Sequence, residues 1–233
     1  MTPINPYLID ELTHRLNHAP PFSVEEIHNL KILASQGGSA PYGMQIFPNL
    51  ILISFIGCGD IDLLRDIGHR PKVYRIQSWS SGLADIDGIA QLLPNLKRFE
   101  ARIAQVTDLR PLLELKLLNM VDIAGNPLDE HSYKEIYPYL VKKGFILDHL
   151  DQSKIRPQEW ELMQAFQRRN LKLSAFVAYG DTVIAAPGHT VYENPYGKSI
   201  DCPLDDAYKI LEDIDEAGYI AKIEEMHLSR RGW

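Results

Sequence analysis

Cysteine is scarce. The two present, Cys58 and Cys202, lie far apart and neither has a CxxC companion, so neither a disulfide framework nor a zinc site is expected. Basic charge is also in deficit, with 24 Lys and Arg against 31 Asp and Glu and a net charge of −7. Binding to nucleic acid or to an anionic membrane needs a cationic surface, so both partner classes are disfavoured. A partner protein fits better, and by overall charge a basic one. Long apolar runs are missing too: the longest, residues 50–57, is far too short to span a bilayer. The first residues carry Asp10 and Glu11 with no apolar h-region, and no Asn-x-Ser/Thr sequon occurs. No signal peptide is expected, and the cytoplasm is the expected compartment. Walker, dinucleotide-type and GxSxG glycine patterns are absent, so no cofactor is expected.

What is present is periodicity. Within residues 93–128 one apolar pattern occurs twice, 22 residues apart: Leu96, Phe99, Ala101 and Val106, then Leu118, Val121, Ile123 and Leu128. With the central apolar residue as register mark, the series extends to Leu33, Ile53, Ile76, Phe99 and Val121, at spacings of 20, 23, 23 and 22. Two places on, the inward residues are Ser35, Phe55, Ser78, Ala101 and Ile123. The bend position carries Gly38, Cys58, Ser81, Ala104 and Asn126. A period near 22 with LxxLxLxxNxL spacing resembles a leucine-rich repeat. Residues 106–112 and 83–89 are similar to the convex segment of short bacterial, internalin-like repeats. The stretch opening at Asn126-Pro127-Leu128 is similar to the closing segment of such arrays. The resemblance covers about residues 25–150. It implies parallel strands stacked on a concave side, with Cys58 a structural substitute for the bend asparagine. The first two repeats depart most, through Gly37-Gly38, Pro41-Tyr42-Gly43 and an extra residue near Asp60.

Flanking segments differ in pattern. Leu8, Leu12 and Leu16 predict an amphipathic helix over 4–20, and Ser23 with Glu26 has capping-box spacing. Tyr133, Ile136, Tyr139 and Leu140 predict a closing helix stopped at Gly144, with 145–147 adding a final strand. After Asp148 the period is lost. Trp160, Met163 and Phe166 predict a helix. Residues 173–179 and 182–186 predict a hairpin around Gly180-Asp181, with 190–192 as a third strand. Residues 205–226 predict a helix broken at Gly218. The fold class implied is α/β: a leucine-rich-repeat solenoid with a helical N-terminal cap (1–29), repeats with a closing helix (30–150) and a small α+β C-terminal domain (151–233).

Strand alternation then assigns the outward positions. The middle repeats place Arg75, Gln77, Trp79, Arg98, Glu100, Arg102, Met120 and Asp122 on one concave surface. Two readings of this cluster stand: a partner-binding surface, since Trp and Arg are enriched at interface hot spots, or a self-satisfied cross-strand charge ladder. Elsewhere, His14 and His18 have i, i+4 spacing but lack the glutamate of HExxH, so metal binding is not expected. Asp181, His189 and Ser199 contain the residue types of a triad without its context. The Cys202 segment resembles cysteine-based ubiquitin ligases appended to bacterial repeats, whose catalytic domains are far larger, so Cys202 reads as a packing residue. The favoured function is non-enzymatic protein recognition on the concave face, for example as an immunity protein neutralising a toxin. The alternatives are an enzyme with a catalytic C-terminal domain and repeats that select substrate, and a structural domain dimerising through its last helix.

Overall fold

The computed structural model describes residues 6–37, 44–146, 154–178, 181–186, 199–211 and 215–231. The first helix, α1 (Pro6–Leu16), is shorter than the span its leucines predict and buries Leu8 and Leu12 completely. Helix α2 (Val24–Asn29) opens on a reciprocal cap. Ser23 Oγ accepts the Glu26 amide at 3.2 Å, and the Glu26 carboxylate accepts the Ser23 amide at 2.8 Å.

The coil follows as β1 (Ile32–Gln36), β2 (Leu52–Ile56), β3 (Asp60–Ile61), β4 (Arg75–Trp79), β5 (Gly82–Leu83), α3 (Ile89–Leu92), β6 (Arg98–Glu100), β7 (Met120–Asp122) and α4 (Tyr137–Lys142). Strands β1, β2, β4, β6 and β7 make one parallel sheet in that order, with α1 packed against β1. In its register Leu33, Ile53, Ile76, Phe99 and Val121 face one another as partners. All five are buried, as are the inward residues two places on. Each such Ile, Leu or Phe contributes roughly 1.5–3 kcal/mol, and its cover comes from the neighbouring repeats, so no single repeat is stable alone.

The connections outside the sheet are single turns, as the short period requires. The extra residue of the second repeat is taken up in a π-type turn at Leu63–Ile67, capped by Asp62, whose carboxylate accepts the Arg65 amide at 2.7 Å. The small pair β3 and β5 runs parallel. A Cβ on Gly82 would stand 2.6 Å from the Gly59 carbonyl oxygen, so only glycine permits that approach. The closing helix ends at Gly144, with φ of 72°. Beyond it Phe145 and Ile146 form no strand; one bond, from the Val121 amide to the Phe145 carbonyl at 2.8 Å, covers that edge. Leu147 lies outside the described residues.

Four residues past every mark the backbone turns left-handed: Gly37 (φ 68°), Gly57 (61°), Ser80 (48°), Ile103 (53°) and Gly125 (73°). The amides of Gly37, Gly57, Ser80 and Ile103 donate to the carbonyls of Ile56, Trp79, Arg102 and Ala124, at 2.7–2.9 Å. The bend is thus stitched from repeat to repeat. Buried side chains complete it. Asn126 Oδ1 accepts the Val106 amide at 2.9 Å, and Nδ2 donates to the carbonyls of Ile123 and Ala101. Cys58 Sγ donates to the Ser35 carbonyl at 3.5 Å. A left-handed L-residue costs about 1–2 kcal/mol. Ile103 offsets this by burying its side chain with Phe176, Val183 and Ala185. Ser80 has no such return: it is fully buried and its Oγ has no hydrogen-bond partner.

After the coil come α5 (Pro157–Arg168), an antiparallel sheet of β8 (Ser174–Ala178), β9 (Asp181–Ala185) and β10 (Ser199–Asp201) in the order β10-β9-β8, then α6 (Leu204–Lys209) and α7 (Glu216–Arg231). The third strand is 199–201; residues 190–192 lie outside the described residues. The last helical stretch breaks between Lys209 and Glu216, not at Gly218. The reason is local: the Asp215 carboxylate accepts the Gly218 amide at 2.7 Å, which starts a new helix there. Helix α5 sits against the end of the coil. Trp160 Nε1 and Gln164 Nε2 donate to the Leu128 carbonyl at 2.7 and 2.8 Å, and Gln167 Nε2 donates to Pro127 at 3.2 Å. Trp160 stacks on Tyr133 with centroids 4.4 Å apart. One hydrophobic cluster runs from Leu8 to Ile223.

Backbone strain predicts opposite outcomes of glycine substitution at two bends. Ser80→Gly removes a left-handed serine and an unpartnered hydroxyl, less the entropy glycine adds to the unfolded chain, so urea denaturation should show a gain of about 1 kcal/mol. Ile103→Gly relieves the same strain but empties a packed site and should lose about 2–4 kcal/mol. A loss at both positions would show that the Ser80 bend is unstrained.

Candidate functional site

The concave face is set by strand alternation: where 99 and 121 point inward, 98, 100, 120 and 122 point out. Parallel in-register pairing then aligns Arg75 with Arg98 and Met120, and Gln77 with Glu100 and Asp122. Ser54 Oγ donates to Gln77 Oε1 at 3.0 Å. Trp79 and Arg102 complete the patch, with the Arg102 guanidinium 5.8 Å from the Trp79 ring centroid.

All eight expected residues therefore lie on one face, but they are not equally exposed. Arg75, Gln77, Trp79, Arg98, Arg102 and Met120 are half-buried, whereas Glu100 and Asp122 are buried. Both carboxylates are paired with guanidiniums. Glu100 accepts from Arg75 Nη2 at 2.9 Å, and Arg75 Nε approaches its other oxygen at 2.7 Å but off the bonding axis. Arg98 Nε lies 3.5 Å from the same oxygen. Asp122 accepts from Arg102 Nη2 at 2.8 Å. Side-chain exposure is 4% for Glu100 and 11% for Asp122, against 38% for Arg98. The charge ladder is thus present, and around Glu100 what it leaves facing outward is arginine, whereas Arg102 is nearly as enclosed as Asp122. Burial pushes the Asp122 carboxyl above its usual range, with Arg102 opposing. The neighbouring outward positions Ser54 and Ala124 are buried as well.

The face is bounded at its β1 end by α1. Glu11, His14 and Arg15 line a groove of about 680 Å³ with Ile32, Ala34 and Gln36.

No family model matches the chain. The human Leucine-rich repeat-containing protein 56 is 34% identical to it over 98 residues, 41% of this chain and 17% of that protein. The chain thus spans about a sixth of the length of this curated relative. The structure of internalin C2 from Listeria monocytogenes aligns with a TM-score of 0.42 and 16% identity, covering 55% of this chain and 68% of that one. The coil consists of leucine-rich repeats.

Outside the repeats' concave face the other candidates separate. His18 is occupied at both ring nitrogens, Nδ1 by the Ala19 carbonyl at 2.8 Å and Nε2 by Glu26 at 2.7 Å. These contacts, the Ala19 carbonyl first, raise its pKa above the usual imidazole value. His14 is exposed in the groove beside β1. Among the described residues no group of three His, Cys, Asp or Glu side chains converges as a metal site. Asp181 pairs with Ala178 at one end of β9, while Ser199 pairs with Ala185 at the other. Four residues of strand place their backbones about 13 Å apart, which disperses that pair; His189 lies outside the described residues. Cys202 is buried, and its amide donates to the Thr182 carbonyl at 2.9 Å. No helix among the described residues is long and apolar enough to cross a membrane.

The left-handed bend four residues past each mark is only faintly written in the sequence. Its signal was the recurrence of glycine at 37, 57 and 125, obscured by Ser80 and Ile103.

Two outcomes follow. Asp122 has a folded pKa raised above its unfolded value, so its contribution to stability is fullest below the ordinary carboxylate range and is lost as pH rises through the raised value. Subtracting the stability of Asp122→Asn from that of the parent between pH 3 and 8 should show a difference that favours the parent most at low pH. A difference flat with pH contradicts the assignment. Burial also pushes the Cys58 thiol up, and Cys202 is enclosed, so Ellman's reagent should modify both only at the rate of unfolding. Rapid labelling of either thiol in the native protein would refute this.

Proposed function

We propose that the chain is a protein-recognition module that binds a partner protein across the concave face of its repeats. The observation that carries this reading is a half-buried tryptophan, Trp79, with the Arg102 guanidinium against its ring, on the same concave face as Arg75, Arg98 and Met120. Solenoids create extended concave surfaces of this kind, and Trp and Arg are the side chains that carry most interface energy when buried by a partner. The arginines are positioned in advance by Glu100 and Asp122, so little rotamer freedom is lost on binding. Cys202 is buried, and Asp181 and Ser199 stand at opposite ends of β9, which favours binding over turnover. Neutralisation of a toxin in the cytoplasm would be one use of such a face.

A photo-crosslinker tests the reading. Benzoylphenylalanine in place of Trp79 should capture a defined protein from source-cell extract. The same group in place of Leu113, exposed on the turn between β6 and β7, should not. Arg98→Glu combined with Trp79→Ala should abolish binding of that protein while the circular dichroism spectrum is unchanged. Equal capture from both positions, or binding that survives the double substitution, would overturn the concave assignment.

A further inference from the structure

The concave face is polarised along the sheet. Its first two strands present mainly aliphatic side chains, Ile32, 40% exposed, with Leu52 and Ile56, and one exposed amide, Gln36. The next two present guanidiniums, with Arg75 and Arg98 in register on β4 and β6. Around them Arg75, Arg98 and Arg102 carry three positive charges and Glu100 and Asp122 two negative ones, a local excess of +1 in a chain of net charge −7. Placement matters more than the sum. Glu100, at 4% side-chain exposure, lies below Arg75 at 25% and Arg98 at 38% and is shared, closely by Arg75 and loosely by Arg98 at 3.5 Å, while Arg102 and Asp122 are enclosed alike. A cationic side chain approaching Glu100 meets the Arg75 and Arg98 guanidiniums first. An anionic one meets Arg98 first.

From this we infer that the occupant of the concave face is an acidic segment of a partner protein, with aliphatic residues at one end and carboxylates at the other. The aliphatic end lies over Ile32, Leu52 and Ile56, and the carboxylates meet Arg98 and Arg75. This rests on the recognition reading above and reverses the partner charge that overall composition suggests. Strands about 4.8 Å apart make the five-strand face about 19 Å wide, the length of roughly six residues of extended chain. At its aliphatic end the face runs into the groove beneath α1.

The chain's own charge makes the inference easy to test, since a net −7 protein repels acidic peptides in general. A random peptide library displayed on phage is selected against the full chain, and peptides made from the enriched clones are titrated. The expected consensus has two or more Asp or Glu beside an aliphatic pair. Arg98→Glu should weaken such a peptide about tenfold and Arg98→Gln less, since reversal adds repulsion to the lost attraction. A Glu→Lys change in the peptide should restore binding to Arg98→Glu, and added salt should weaken the parent pair. Circular dichroism of each variant reports whether it folds, and Arg98→Gln keeps the test valid if reversal disturbs Glu100. Neutral or basic peptides that ignore Arg98 but are lost on Trp79→Ala or Ile56→Asp overturn the acidic occupant alone. Enriched peptides indifferent to all of these substitutions, or no enrichment at all, overturn both the occupant and the concave recognition surface.

Discussion

A chain that stacks a parallel strand every twenty-odd residues must leave the sheet sharply, at the same point, in every turn. Here that constraint is met by one left-handed residue per repeat, at 37, 57, 80, 103 and 125. The amide at four of these five positions is bonded to the next repeat. The bend fixes where each strand ends, and so which side chains face inward. If it shifted by one residue, every side chain beyond it would exchange faces. Burial of the marks and exposure of the concave residues both follow from it. Its cost is visible at Ser80 and Ile103, where the geometry persists without glycine. Ile103 shows how such a site is tolerated: packing against Phe176 and Val183 offsets the backbone strain.

The same bend explains where the C-terminal elements sit. Turning the chain leaves carbonyls at the bend pointing away from the sheet ladder, and a buried carbonyl without a donor costs about 1–3 kcal/mol. Ser174 donates to the Ala104 carbonyl, and Trp160, Gln164 and Gln167 supply donors to Leu128 and Pro127. Phe176 packs where Gly125 leaves room, within 3.4 Å of the position its Cβ would take. The contact thus joins hydrogen bonds to apolar packing at Phe176, and Arg75 and Arg98 on the concave side stay half-exposed.

How much of this was legible follows from what each signal measures. Apolar spacing reports inward positions, because burial is what selects Leu, Ile and Phe, and all five marks pair as that spacing requires. Ser23 with Glu26 and Asn126 at the bend were also readable, since each residue type performs one geometric task. The helix break near 210–215 was not, because Asp215 and Gly218 are individually ordinary and only their hydrogen bond distinguishes them. Nor was the depth of Glu100 and Asp122. Alternation assigns a face but not a height above it. Whether a carboxylate stands out or lies beneath an arginine depends on charges one strand away, which sequence distance hides.

That difference in height also bears on what the ion pairs are for. Desolvating a carboxylate costs several kcal/mol, and its pairing with arginine roughly offsets that cost, so Arg102–Asp122 adds little to stability over an apolar pair. What it fixes is orientation. Asp122 holds the Arg102 guanidinium near the Trp79 ring, where it steadies the indole through a cation–π contact. Glu100 does the same for Arg75 while gripping Arg98 less closely. An arginine held by a buried partner keeps donors in a fixed fork, and a partner binding there need not order it again. A face built for fold alone would be better served by valine and isoleucine, as β1 and β2 partly are; in the next two strands fixed charge replaces apolar cover, which trades packing for preorganised contact.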